Sequence, residues 1–133
     1  MSEFSFSKNL RLLKSAEFDF VFKKPLRIHN KELIMYARKS AAAPRLGLAI
    51  AKKKVPLASN RNRIKRLVRE QFRLNQVSFP SVDVIVMVTP RAGKIRNAEI
   101  IDSFHSLSAR LKQKLNDIDK KSDRTSSTLL PQP

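Results

Sequence analysis

The sequence predicts an α/β (α+β) two-layer sandwich: one mixed four-stranded sheet with helices over one face, in the order αβββαβα. Three observations carry this. Two stretches, about Lys52–Arg73 and Asn97–Leu115, repeat apolar residues at helical spacing. Three runs, Leu33–Lys39, Leu46–Lys53 and Asp83–Thr89, show the alternation or the short continuous hydrophobicity of strands. A chain of 133 residues with 41% hydrophobic content fits one core. The chain divides into an N-terminal arm (1–14), a single domain (15–115) and a tail (116–133).

Taken in order, residues 1–14 have little periodicity and read as an extended arm that Leu12 and Leu13 pin to the core. Ser15 suits a helix N-cap, Glu17 and Asp19 suit the first turn, and Pro25 ends the element. Phe18, Val21 and Phe22 share one face of this short helix while Phe20 points nearly opposite; two phenylalanines at i,i+4 ordinarily mean core. Leu26–Asn30 is a weak strand. Leu33–Lys39 places Ile34, Tyr36 and Arg38 on one face and Leu33, Met35 and Ala37 on the other. After the AAAPR loop, Leu46–Lys53 sets large Leu46, Leu48 and Ile50 against small Gly47, Ala49 and Ala51, with Lys53 continuing the small side. Such a row means either a closely packed helix or the floor of a groove.

The basic helix follows. Ile64, Leu67, Val68 and Phe72 fall on one arc, and Asn62, Arg63, Lys65, Arg66, Arg69 and Arg73 fill the other side. Pro56 suits a first helical turn, and Ser59 or Asn60 would cap a later start. Pro80 then breaks the chain, Asp83–Thr89 reads as a buried strand, and Pro90, Arg91 and Gly93 make a turn. In the last helix Ile100 or Ile101, Phe104, Leu107, Leu111 and Leu115 recur at helical spacing. The polar tail, ending in two prolines, is expected to be disordered. The strand, basic helix and strand form a crossover whose hand the pattern does not give.

Charge narrows the function. The net charge is +17, and Lys52–Arg73 alone supplies +8, with nine basic residues and one acid, Glu70. Residues 1–51 carry +6 and 74–133 only +3. Like charges three and four residues apart repel, so a polyanion is the natural counterpart, and nucleic acid ranks above an anionic membrane. No cysteine is present, which removes disulfides, zinc knuckles and thiol nucleophiles and is compatible with a reducing cytoplasm. No signal peptide and no bilayer-spanning run is evident. His29 and His105 sit in unrelated elements, the acids show no metal-binding spacing, and two glycines cannot form a phosphate cradle. The domain reads as one that holds a nucleic acid rather than cuts one. Tyr36, the one tyrosine, is either an ordinary strand aromatic or a platform for a stacked base flanked by charge.

The segment Arg61-Asn62-Arg63-Ile64-Lys65-Arg66-Leu67-Val68-Arg69-Glu70 resembles the RNR signature of the bacterial ribonuclease P protein component. Leu46–Lys53, Leu10–Leu13 with Phe18 and Val21–Lys23, and Asp83–Val86 are similar to that family's flanking segments, so the likeness spans about Phe6–Lys114. It implies a left-handed βαβ crossover. It also implies two RNA partners: a catalytic RNA, one protein per RNA with higher oligomers left open, and the precursor tRNA whose 5′ leader that RNA removes using Mg²⁺. No catalytic residue and no metal site is implied on the protein itself. By position, Lys52, Lys53, Arg61, Asn62, Arg63, Lys65, Arg66, Arg69 and Arg73 would contact the catalytic RNA and the adjacent leader, with Arg11 contributing from the arm. Phe18, Phe22, Ile34, Tyr36, Arg38 and Lys53 would line a leader cleft, which moves Phe18 and Phe22 from core toward partial exposure. Other readings share the charge: a structural RNA-binding protein of ribosomal type, a DNA-binding regulator, or a membrane-surface helix. The regulator lacks the first helix and turn of a helix-turn-helix, and the membrane reading needs an apolar stripe that the core claims.

Overall fold

The computed structural model describes residue 11, residues 15–40 and residues 43–129, with side chains described for all of these except residues 15 and 119–129. The expected arm, with its Leu12 and Leu13 anchors, lies outside the described residues apart from Arg11. The elements are α1 (Ser15–Lys23), β1 (Leu26–His29), β2 (Leu33–Lys39), β3 (Arg45–Ala49), α2 (Ala58–Asn75), β4 (Val82–Val88), a 3₁₀ turn (Pro90–Lys94) and α3 (Asn97–Leu129). They form one sheet in the order β1-β2-β4-β3. β1, β2 and β4 are antiparallel neighbours, and β3 runs parallel to β4. A parallel neighbour requires a crossover, and α2 supplies it.

Alternation in β2 and β4 gives the sheet two dissimilar faces. Leu33, Met35 and Ala37 join Val82, Val84, Val86 and Val88 on one face, where Ile64, Val68 and Phe72 of α2 and Ile100, Phe104, Leu107, Leu111 and Leu115 of α3 complete the main core. Phe72 lies edge-on to Phe79, which stacks beside Phe104. Each fully buried large side chain of α2 contributes about 1.5–3 kcal/mol, so the stripe is what fixes the helix. Asn30 ties the β1–β2 turn to α3: its Oδ1 accepts from the Leu33 and Glu32 amides and from the Ser103 hydroxyl, and its Nδ2 donates to the Ser103 carbonyl.

The opposite face carries a smaller cluster, Val21 of α1 on Ile85 of β4, flanked by Phe18, Tyr36, Ala49 and Met87. α1 therefore lies across the sheet from α2 and α3, which corrects the expectation that all helices share one face. Its apolar anchor is short, so periodicity alone could not assign the side. The small residues of β3 serve as the close-packing alternative requires, with Ala49 in the cluster beneath α1.

Other boundaries shift for local reasons. β3 ends at Ala49 rather than Lys53, because the amides of Lys54 and Val55 both turn back to the Ala51 carbonyl. Val55 is then buried and meets Gly93 of the 3₁₀ turn. A Cβ at Gly93 would stand 3.2 Å from a Val55 methyl. Neither Ser59 nor Asn60 caps α2; the N-cap is Leu57, which offers no side-chain acceptor, and Pro56 precedes it. α3 runs to Leu129, well past the expected end at Leu115. Among its described side chains Leu115 is the last in the core, and Ile118 is 45% exposed.

Candidate nucleic-acid interface

The cationic surface follows from the burial of α2's apolar stripe, because packing Ile64, Val68 and Phe72 inward turns the basic arc outward. Not all of those cations are equivalent. Arg61 bends back, donating from Nη1 to the carbonyls of Val55 (2.9 Å) and Pro56 (2.7 Å), and so ties down the turn before the helix. Arg63 donates to Asn97 Oδ1 at 2.6 Å, joining α2 to the start of α3. Arg73 pairs with Glu70, whose carboxyl is held below the usual carboxylate range by that guanidinium. Asn62, Arg66 and Arg69 are exposed and Lys65 half-buried; among the described residues these four make no hydrogen bond or ion pair. The outward charge of α2 is thus concentrated in Lys65, Arg66 and Arg69.

At the helix's N-terminal end, Lys53, Lys54 and Lys94 rim a recess of about 420 Å³ floored by Val55, Pro56 and Gly93. No acid occupies the first turn of α2. The helix dipole therefore adds to the positive potential of these lysines rather than being cancelled. Lys52 is exposed in the same turn, and Arg11 bridges to Leu46 in parallel, on the free side of β3.

Phe18, Phe22 and Tyr36 do come together, with Ile34 on the same side of β2, but on the other face of the sheet. The ring of Phe22, 42% exposed, meets Tyr36 edge-on with centroids 5.2 Å apart. Phe18 packs in the same cluster from one turn earlier in α1. Ile34 is two residues from Tyr36 on the same side of β2, opposite Met87 of β4. The structure adds a residue that sequence reasoning missed: Arg27 of β1, register partner of Tyr36, holds its guanidinium 5.8 Å from the ring centroid and donates to the phenol oxygen at 3.2 Å. Correct hairpin pairing of Leu26–His29 with β2 would have revealed it. The result is a half-open aromatic surface edged by a cation, the combination that accepts an unpaired base.

Two expected cleft cations are placed differently. Arg38 turns to α1, donating to the Phe20 carbonyl at 2.7 Å with its guanidinium 3.8 Å from the centre of the Phe20 ring. Lys53 belongs to the recess beside α2. Beneath α1, Arg45 donates to both oxygens of Asp83 (3.0 and 2.8 Å) and to Glu17 Oε2 at 2.7 Å. Asp83 is only 1% exposed, and its hydrogen bond with Arg45 raises the guanidinium pKa. The histidines are apart: His29 lies exposed at the end of β1, and His105 Nε2 is 2.7 Å from Gln71 Oε1 between α2 and α3. Among the described residues, no group of three His, Cys, Asp or Glu side chains could hold a metal, and no helix is long and apolar enough to cross a membrane.

The family model described as Ribonuclease P matches residues 6–112. The ribonuclease P protein component of Pasteurella multocida (strain Pm70) is 42% identical over 108 residues, covering 80% of this chain and 91% of that protein. Among solved structures, the Staphylococcus aureus RNase P protein superposes with a TM-score of 0.73 at 28% identity, over 77% of this chain and 95% of that one. The Thermotoga maritima RNase P protein gives 0.67 at 26% identity, over 75% and 96%. With its sheet, its cationic crossover helix and most of its length accounted for, the chain belongs to the ribonuclease P protein family and is a protein component of that tRNA-processing ribonuclease.

Proposed function

We propose that the protein binds the catalytic RNA of ribonuclease P and the 5′ leader of precursor tRNA, and that the RNA carries out the phosphodiester chemistry. The observation that carries this reading is the division of labour on α2: an apolar stripe committed to the core, and Lys65, Arg66 and Arg69 facing outward without intramolecular partners among the described residues. Such an array neutralises phosphates wherever two RNA molecules approach each other, which lowers the divalent-ion concentration that the assembly requires. The leader, being single-stranded, lies against Phe18, Phe22, Ile34 and Tyr36, with a base on the Tyr36 ring and Arg27 at its edge. Lys52, Lys53, Asn62 and Arg11 extend the phosphate contacts on either side of α2. Arg61, Arg63 and Arg73 act mainly by fixing the helix.

Mg²⁺ belongs to the ribonucleoprotein in this reading. The described carboxylates do not converge on a cation, and several are already committed to arginines, which fits ions held by RNA phosphates. We place one protein on each RNA, in the bacterial cytoplasm. The test is cleavage of a precursor tRNA at low, near-physiological Mg²⁺ by the protein alone, a bacterial ribonuclease P RNA alone, and the two mixed. Correct 5′ processing in the mixture only is the expected result. Cleavage by the protein alone would relocate the chemistry, and tight RNA binding without processing would mark a structural RNA-binding protein.

A further inference from the structure

The aromatic surface is only as well defined as the position of α1, and α1 has little apolar material to define it. It is nine residues long, too short to be stable alone. Among its described side chains only Val21 is fully buried, while Phe20 and Phe22 are 38% and 42% exposed. Besides Val21, the partly buried Phe18 and the edge contact of Phe22 with Tyr36, what holds it is polar. Three neighbouring strands present a row of charges on this face: Arg38 of β2, Asp83 of β4 and Arg45 of β3, in register across the sheet. Arg45 is gripped from below by buried Asp83 through two bonds, so its side chain has one orientation, and its remaining nitrogen reaches Glu17 in the first turn of α1. Arg38 reaches the carbonyl and ring of Phe20, further along the helix. The helix is therefore strapped at two points, Glu17 and Phe20, in the turn that leads to Val21, and Glu17 immediately precedes Phe18.

We propose that the Glu17–Arg45–Asp83 chain is a positioning device for leader recognition. Its residues touch no RNA. They set where Phe18 and Phe22 stand relative to Tyr36, and so how well the protein distinguishes precursor from mature tRNA. This rests on the leader-cleft reading above. Because α2 packs on the other side of the sheet, loosening α1 should leave the grip on the catalytic RNA intact, which separates this role from general stability.

The experiment compares Glu17→Ala with Asp19→Ala in the reconstituted holoenzyme. Asp19 is an exposed acid on the same helix, so both changes raise the net charge equally, but only the first releases Arg45 from α1. The readouts are the ratio of precursor to mature tRNA affinity, the affinity of the protein for the catalytic RNA, and the thermal midpoint. Glu17→Ala should lower the ratio roughly three- to fivefold relative to Asp19→Ala, as befits one half-exposed ion pair, with catalytic-RNA affinity unchanged. Glu17→Gln, whose amide oxygen still accepts from Arg45, should recover part of the loss. A ratio for Glu17→Ala equal to that of Asp19→Ala would overturn the proposal, as would a parallel fall in catalytic-RNA affinity. Tyr36→Ala is run alongside. If it lowers the ratio while Glu17→Ala does not, the strap alone is wrong; if neither does, the leader-cleft reading has failed with it.

Discussion

Replacing Arg66 and Arg69 together with alanine tests the outward-cation argument most directly. Both side chains are exposed and make no intramolecular bond among the described residues, so the folded domain should lose little, within about 0.5 kcal/mol. RNA binding should respond through counterion release. Each phosphate contact contributes about 0.7 to 0.9 to the slope of log K against log salt, so two contacts contribute about 1.4 to 1.8. Over a fourfold salt range, such as 50 to 200 mM, that slope difference changes the ratio of wild-type to variant affinity by roughly 7- to 12-fold. The variant should therefore lag most at low salt and approach wild type as salt rises. The assay is a salt titration of protein binding to the catalytic RNA. Arg63→Ala with Arg73→Ala is the matched control, since Arg63 is bonded to Asn97 and Arg73 to Glu70. An unchanged slope for the first pair, or an equal flattening for the control pair, would refute the assignment of the phosphate contacts to the outward residues.

Four further outcomes are expected. Glu70→Gln removes the one acid of the basic helix and its charge pairing with Arg73, so RNA affinity should rise and the slope steepen by up to about 0.9; weaker binding in the same titration would contradict this. Lowering pH should act in the same direction: Glu70's folded pKa is depressed, so its pairing with Arg73 persists above the ordinary carboxylate range and is lost as pH falls through the depressed value. Arg45→Met leaves the Asp83 carboxylate buried and unpaired and should destabilise the domain by about 3–5 kcal/mol in urea unfolding; a loss under about 1 kcal/mol would mean that Asp83 is not held by this pair. Tyr36→Ala should weaken precursor binding by about 1–3 kcal/mol while leaving mature tRNA nearly unaffected, whereas Tyr36→Phe keeps the stacking face and should cost far less. Equal losses for precursor and mature tRNA would remove Tyr36 from the leader site.

How much of this was legible before the structure depends on the kind of signal. β2 was readable to the residue because a seven-residue alternation, Leu33–Lys39, has only one assignment that buries its large aliphatic side. The buried stripe of α2 was readable for the same reason at helical period. The start of α2 was not, because Leu57 is an N-cap with no capping side chain and leaves no mark in the sequence. The end of β3 was missed because Ile50–Lys53 continues the alternation, while the turn that ends the strand is made by backbone bonds to Ala51. The cationic and aromatic groups were both named from sequence, but their placement on opposite faces of the sheet follows from Val21 meeting Ile85, a contact across 64 positions that no periodicity encodes. The Arg45–Asp83 pair did leave a signal. An acid inside the apolar run Val82–Val88 has to find a cation if the strand is central, and its neighbours in the sheet are the first place to look.

The strand order has a consequence for how the protein comes into being. β3 emerges from the ribosome before α2, yet among the described strands its neighbour in the sheet is β4, and β4 also completes the pairing of β2. Until Val82–Val88 has been synthesised, the apolar stripe of α2 has half a sheet to rest on and β3 has no ladder. The cationic helix is thus displayed in a fixed orientation only once the chain is nearly finished. A nascent or truncated polypeptide would carry the same positive charge without the geometry, attracting RNA indiscriminately while recognising none. By placing its last strand at the centre of the sheet, the fold makes specific assembly with RNA a property of completed molecules.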